Sequence, residues 1–334
     1  MTAPAHIPEL VCPAGTPAGL RTAVDAGAHS VYCGFRDETN ARNFPGLNFD
    51  RAEMEEGVAY AHEHGAKVLI ALNTFMRAGG TEVWKSAVDD AVAAGADALI
   101  LADIALVAYA REKYPDQRLH LSVQAAAATP EAIAFYRDRF GIARIVLPRV
   151  LTVEEIARLT ALAAPCETEV FVFGGLCVMA EGRCMLSSYA TGKSPNMNGV
   201  CSPPSHVAYR QQEDGALTAA LGDFTVERFE PGEPAGYPTL CKGRYAVDGV
   251  VSHLFEDPVS LNAAELLGRL AEIGVAAFKI EGRQRGRAYI ATVVQSFRRA
   301  VDTIAKGGPI DVAALRALSE GQRETTGAYR KAWR

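Results

Sequence analysis

The sequence predicts an α/β protein, a (β/α)8 barrel of the TIM type with a cysteine-bearing insertion after strand 7. Three observations lead there. Eight short segments rich in Val, Ile and Leu recur along the chain, as buried parallel strands do. Amphipathic stretches with helix start and stop residues lie between them. The regular spacing breaks once, between Phe173 and Pro258.

The strands are expected at 9–13, 30–33, 67–72, 98–101, 119–123, 144–147, 169–173 and 276–280. Six or seven such strands would also suit an open doubly wound sheet; a count of eight favours closure. Thr16-Pro17 and Thr129-Pro130 read as N-caps followed by Pro in the first helical turn. Thr152-Val-Glu-Glu155 reads as a capping box. Gly27, Gly65, Gly95 and Gly274 sit where helices should close. After the break the next helix is expected near Pro258, and the last two at about 285–306 and 311–320. The whole chain, 1–334, thus reads as one barrel domain, with an inserted region at about 174–257. Long excursions in compact domains are usually functional, and one that leaves a barrel strand emerges on the face where active sites sit.

With 334 residues, 49% of them hydrophobic, the chain can bury a large core. Its formal net charge of −5 gives no general nucleic-acid signal. The segment 283–334 leans basic, but its charges fall at helical spacing, as on a solvated helix face. The opening residues lack the charged and apolar regions of a secretory signal. The richest apolar run, 98–110, is broken by Asp103 and is short for a membrane span. A cytoplasmic protein without a transmembrane segment is expected, and nucleic acid is not an expected partner.

Seven cysteines, an odd number, point in a reducing compartment to metal or catalytic use over a disulfide framework. Cys12, Cys33 and Cys166 adjoin apolar strands and read as small buried residues, although Cys12 and Cys33, at strand ends, could line a pocket. Cys177, Cys184, Cys201 and Cys241 fall in the excursion, beside Gly, Pro, Arg, Lys or Ser. Four converging thiolates suit a metal centre, either zinc or a [4Fe–4S] cluster. Their spacings, with six, sixteen and thirty-nine residues between, lack the paired short hooks of structural zinc sites. Gly192-Lys193-Ser194 resembles the end of a phosphate-binding loop, but Ser187 stands where that loop needs Gly. No dinucleotide-binding glycine fingerprint comes after any strand.

The run Glu169-x-Phe171-x-x-Gly174-Gly175-Leu176-Cys177-x-x-x-x-Gly182-x-Cys184-x-Leu186-Ser187 resembles the signature of the U32 peptidase family, with Gly175 where Ser or Ala is usual. The resemblance extends to 9–15, to Ala41-Arg-Asn-Phe44 and to Phe278-Lys-Ile-Glu-Gly-Arg283. Within the family, 173–184, 186–189, 194–196 and 201–203 are similar to the UbiU-like branch, subunits of an oxygen-independent ubiquinone-biosynthesis hydroxylase. RNA-hydroxylating members resemble the barrel too, and carry further C-terminal sequence. The resemblance implies a [4Fe–4S] cluster on Cys177, Cys184, Cys201 and Cys241. It also implies a heterodimer with a homologous UbiV-like barrel, and hydroxylation of a prenylated phenol precursor with prephenate as oxygen donor. Proteolysis is not expected, since neither a nucleophile–His arrangement nor a zinc-protease motif can be read in the chain.

Prephenate carries two carboxylates, so its pocket should offer cations and amide donors. Polar residues near strand ends supply the candidates: Asn73, Gln124, Arg149, Lys279 and Arg283, with Arg42 and Asn43 from the second loop. The plainer alternatives are core hydrogen bonding for Asn73 and Gln124, and ion pairs of Arg149 or Lys279 with Glu281 or Asp103.

Overall fold

Eight parallel strands close on themselves in a computed structural model that describes residues 6–175, 186–193, 199–254, 260–319 and 324–330. They are β1 (Glu9–Pro13), β2 (Ser30–Cys33), β3 (Lys67–Leu72), β4 (Ala98–Leu101), β5 (Leu119–Leu121), β6 (Arg144–Val146), β7 (Glu167–Gly175) and β14 (Ala277–Ile280). Each pairs in parallel with its neighbour, and β14 pairs with both β1 and β7 to complete the ring. The helices α1 (Pro17–Asp25), α2 (Arg51–Glu63), α3 (Glu82–Ala93), α4 (Ile104–Lys113), α5 (Pro130–Phe140) and α6 (Val153–Ala163) pack outside.

Local chemistry fixes where the helices begin and end. Thr16 accepts the Gly19 N–H at 3.0 Å with Pro17 at the first helical position, and Thr129 caps α5 in the same way. Asp50–Glu53 and Thr152–Glu155 are complete capping boxes. A cap of this kind contributes about 1 kcal/mol. Gly27, Gly65, Gly95 and Gly274 close their helices with positive φ.

Strand alternation divides the apolar residues into two sets. Leu10, Cys12, Val31, Cys33, Val68, Ile70 and Leu72 point outward into the layer between strands and helices. Val11, Tyr32, Leu69, Ala71, Ala98, Ile100 and Ala277 pack inside the ring. Cys12 and Cys33 therefore do not line a pocket: both are fully buried in the outer layer, where the Cys33 Sγ meets the Met54 sulfur at 3.5 Å.

The strand ends differ from the sequence reading for physical reasons. β5 stops at Leu121 because the Ser122 hydroxyl accepts the Gln124 N–H and starts a 3-10 turn, Val123–Ala125. β7 runs on to Gly175 because its tip gains an antiparallel partner, β13 (Ser260–Asn262), which pairs in turn with β15 (Glu324–Thr325). Pro258 lies outside the described residues; beyond it come β13, a 3-10 turn (Ala264–Leu266) and then the helix α8 (Leu267–Glu272). The expected penultimate helix is α9 (Arg287–Ala305), and the last is shorter than expected, α10 (Val312–Arg316).

The excursion has structure of its own beyond the helix α7 (Leu186–Thr191). The strands β8 (Val207–Gln211), β9 (Leu217–Leu221) and β10 (Phe224–Phe229) form an antiparallel sheet. The pair β11 (Arg244–Val247) and β12 (Val250–His253) forms a hairpin. Asp248 and Gly249 turn that hairpin with φ of 51° and 78°, the type I′ pattern an Asp-Gly pair favours. Among the described residues no helix is long and apolar enough to cross a membrane.

Candidate functional site

At the C-terminal end of the barrel the strand ends and loops enclose an open depression of about 470 Å³. Six of the seven polar candidates read from the sequence line it: Arg42, Asn73, Gln124, Arg149, Lys279 and Arg283. Asn43 does not; its backbone N–H instead donates to the Gly199 carbonyl at 2.9 Å. Strand alternation and the loops after β2 and β14 bring the six together.

Each cation is held by a particular partner. Arg283 is 4% exposed and donates to Asn40 Oδ1 at 2.7 Å. Its buried Nε meets no acceptor among the described residues. Arg149 donates to the Gly175 carbonyl at 2.9 Å and lies over the Phe171 ring. Lys279 donates to Glu169 Oε1 at 2.6 Å and sits 4.2 Å from the centre of the Tyr32 ring. Its partner is thus Glu169, neither Glu281 nor Asp103; Asp103 instead caps α4 and accepts the Met76 N–H. Asn73 accepts the Ala41 N–H at 3.0 Å, which fixes the loop carrying Arg42.

Among the described residues Glu281 is the one carboxylate in the lining. Burial by itself would raise its pKa, but Arg42, Arg283, Arg149 and the Tyr32 hydroxyl together hold it below the usual range. Arg42 Nε lies 3.5 Å from Glu281, and the Tyr32 hydroxyl contacts both Glu281 and the Ile280 carbonyl. Tyr32 escaped the sequence reading, although it is the aromatic in an otherwise small or aliphatic strand and alternation turns it inward. Gly15 permits the loops after β1 and β14 to touch: a Cβ there would stand 1.8 Å from the Arg283 carbonyl oxygen.

Below the cavity a charged ladder fills the barrel. Glu169, fully shielded from solvent, also accepts from Arg144, which in turn pairs with Glu9 at 2.6 Å and Glu167 at 2.7 Å. His120 lies beside it with Nε2 3.0 Å from Arg118 Nε, and its Nδ1 has no partner among the described residues. Burial first, then Arg144, Arg118 and Lys279, push its pKa well below that of a free imidazole, so it is neutral.

Two of the four candidate metal ligands, Cys177 and Cys184, lie outside the described residues. Cys201 and Cys241 are half-buried and belong to turns, not to the core. The Tyr237 hydroxyl donates to the carbonyl of Ser202, next to Cys201. The Tyr245 hydroxyl donates to the carbonyl of Leu240, next to Cys241. The helix Leu186–Thr191, which starts two residues after Cys184, packs against the turn Leu240–Lys242 that carries Cys241. The remaining described thiols are buried: burial pushes Cys166 up to about 11 and Cys33 up to about 12, and raises Cys12 further. Half-burial leaves Cys201 and Cys241 reachable by a ligand, whereas the three core thiols are shut away; among the described residues no three metal-ligating side chains converge.

The chain matches the profile of peptidase family U32 over residues 15–330. It is 32% identical over 328 residues to tRNA hydroxylation protein P of Escherichia coli (strain K12), covering 93% of this chain and 71% of that relative. It is 31% identical over 307 residues to the 23S rRNA 5-hydroxycytidine C2501 synthase of the same organism, covering 91% of this chain and 41% of that protein. A solved U32 peptidase, Mk0906, superposes with a TM-score of 0.43 at 20% identity, over 51% of this chain and 70% of the other.

Proposed function

The chain belongs to peptidase family U32, and on that premise we propose that it is an iron–sulfur subunit of an oxygen-independent hydroxylase acting on an aromatic ring. One observation carries the reading: among the described residues the cavity lining holds four cations against one carboxylate, and the Lys279 ammonium is already matched by Glu169 below it. An excess of guanidinium charge at a barrel mouth suits a small ligand with two carboxylates, and prephenate as oxygen donor fits that description. Among the described residues no histidine or cysteine lines the cavity, so these offer no Ser–His or Cys–His pair and no histidine zinc ligand.

In this reading Arg283 and Arg149 bind the donor's carboxylates. Glu281, held ionised, keeps Arg42 and the Tyr32 hydroxyl aimed at the cavity, and the Tyr32 and Phe171 rings form one wall. Cys177, Cys184, Cys201 and Cys241 would hold a [4Fe–4S] cluster, which supplies or accepts single electrons when bound.

The acceptor admits two readings. The signature around Cys177, Cys184 and Cys201 supports a prenylated phenol precursor of ubiquinone, with a homologous UbiV-like barrel as partner. The names of the tRNA- and rRNA-hydroxylating relatives support an RNA base, and of the two this is the reading the relatives favour. Deleting the gene under anaerobic growth and measuring quinones and modified nucleosides by mass spectrometry separates them. Loss of quinone with intact nucleosides sustains the first; loss of a hydroxylated nucleoside sustains the second. A protein purified without oxygen that contains zinc and no iron or sulfide would sink the iron–sulfur reading.

A further inference from the structure

Two contacts tie the cation pocket to the roots of the cysteine-bearing segments. Arg149, in the pocket wall, donates to the carbonyl of Gly175, which stands two residues before Cys177. On the other side, the Asn43 N–H donates to the carbonyl of Gly199, two residues before Cys201. The chain around Asn43 is itself pocket wall: Arg42 lines the cavity, and Asn40 holds Arg283 at 2.7 Å. The approach is too close for any side chain at position 199, since a Cβ there would lie 2.1 Å from the Asn40 carbonyl oxygen, and φ is +74°. So Arg42, Arg149 and Arg283, the three guanidiniums of the pocket, connect through short, packed links to the backbone just ahead of two proposed metal ligands.

We propose that Arg149 and the Asn40–Asn43 loop act as struts that couple anion binding in the pocket to metal holding at the cysteines. Arg149 is in this sense a positioning residue as well as a pocket cation. A carboxylate that engages Arg149 and Arg283 restrains the guanidiniums, and through them Gly175 and Gly199. Linkage then requires reciprocity: whatever factor the anion adds to cluster retention, the cluster adds to anion affinity. The inference rests on the pocket being a dicarboxylate site and on the cysteines holding iron.

The test uses full-length protein reconstituted with iron and sulfide, and the same protein stripped by a chelator. Calorimetry gives the prephenate affinity of each form, and the rate of iron loss to a chelator is followed with and without prephenate. Coupling predicts that prephenate binds the loaded form about fivefold tighter or more, and slows iron loss by a comparable factor. Gly199→Ala, outside the cavity lining, should bring both ratios to about one while the stripped protein still binds prephenate. Arg149→Lys, which keeps the charge but not the fork, should also bring both ratios to about one, with prephenate affinity lowered in loaded and stripped protein alike because Arg149 is itself a pocket cation. Circular dichroism and the urea midpoint establish that each variant is folded. Equal prephenate affinity in loaded and stripped wild-type protein overturns the coupling and leaves the donor reading standing. Absence of prephenate binding to either form overturns both.

Discussion

Lys279 and Glu169 meet at 2.6 Å inside the barrel, with Glu169 wholly shielded from water. The pair joins the pocket to the charged ladder beneath it, because Glu169 also accepts from Arg144. Removing one member of a buried ion pair leaves its partner uncompensated, at about 3–5 kcal/mol. Glu169→Gln should therefore lower the urea-unfolding free energy by about that amount, and Glu169→Gln with Lys279→Met should recover part of it. A loss under about 1 kcal/mol would mean that water or another group serves these charges.

Arg283 offers the pocket a buried guanidinium whose Nε has no partner among the described residues. Hydrogen bonds to charged groups contribute about 1.5–3 kcal/mol, so Arg283→Met should weaken prephenate binding about tenfold or more. Calorimetry of the variant measures this directly; unchanged affinity would remove Arg283 from the site.

Acid should destabilise the protein through two sets of groups with different onsets. His120 is neutral in the fold, with its pKa far below the ordinary 6.5. The unfolded chain takes up a proton that the fold refuses, so stability falls as pH drops below about 6.5. The slope approaches about 1.4 kcal/mol per pH unit. His120→Gln should flatten this limb in part, since burial and Arg298 also lower His29 and keep its share. Glu9, Glu167 and Glu281 have lowered pKa values, so their contribution is complete above 4.5 and is lost as pH falls from there through the folded values. Urea midpoints from neutral pH down into the acid range resolve the two onsets.

The cysteines should divide by environment. Cys201→Ser and Cys241→Ser, each in a half-buried turn, should abolish stable iron and sulfide binding in anaerobically prepared protein. Cys33→Ala and Cys166→Ala should leave the iron content unchanged, because those thiols sit in the core. Iron, sulfide and visible absorption on the four variants settle the division.

The barrel was legible because its signals are local. Val, Ile and Leu runs at 30–33 and 67–72, and caps at Thr16, Thr129 and Thr152, read the same in sequence and in space. The pocket cations were legible because residues just past barrel strands must face one end. What escaped depends on non-local partners. β7 lengthens only because Ser260–Asn262 pairs with its tip, and Lys279 finds Glu169 from a strand 110 residues away in sequence. The strands of the excursion were missed although Asp214-Gly215 and Asp248-Gly249 are turn dipeptides, because a long polar stretch invites reading as loop.

In the extension of β7 by β13, Gly175 and Ser260 are direct ladder partners. The chain leaves the barrel at one of them and re-enters at the other, so the two ends of the excursion are pinned together at the barrel rim. The ends are clamped whatever the length, and doubling such a loop adds only about 0.6 kcal/mol in closure entropy. The chain between Gly175 and Ser260 can thereby change in length at little cost in closure, provided that the contact of Gly199 with the Asn40–Asn43 loop is kept.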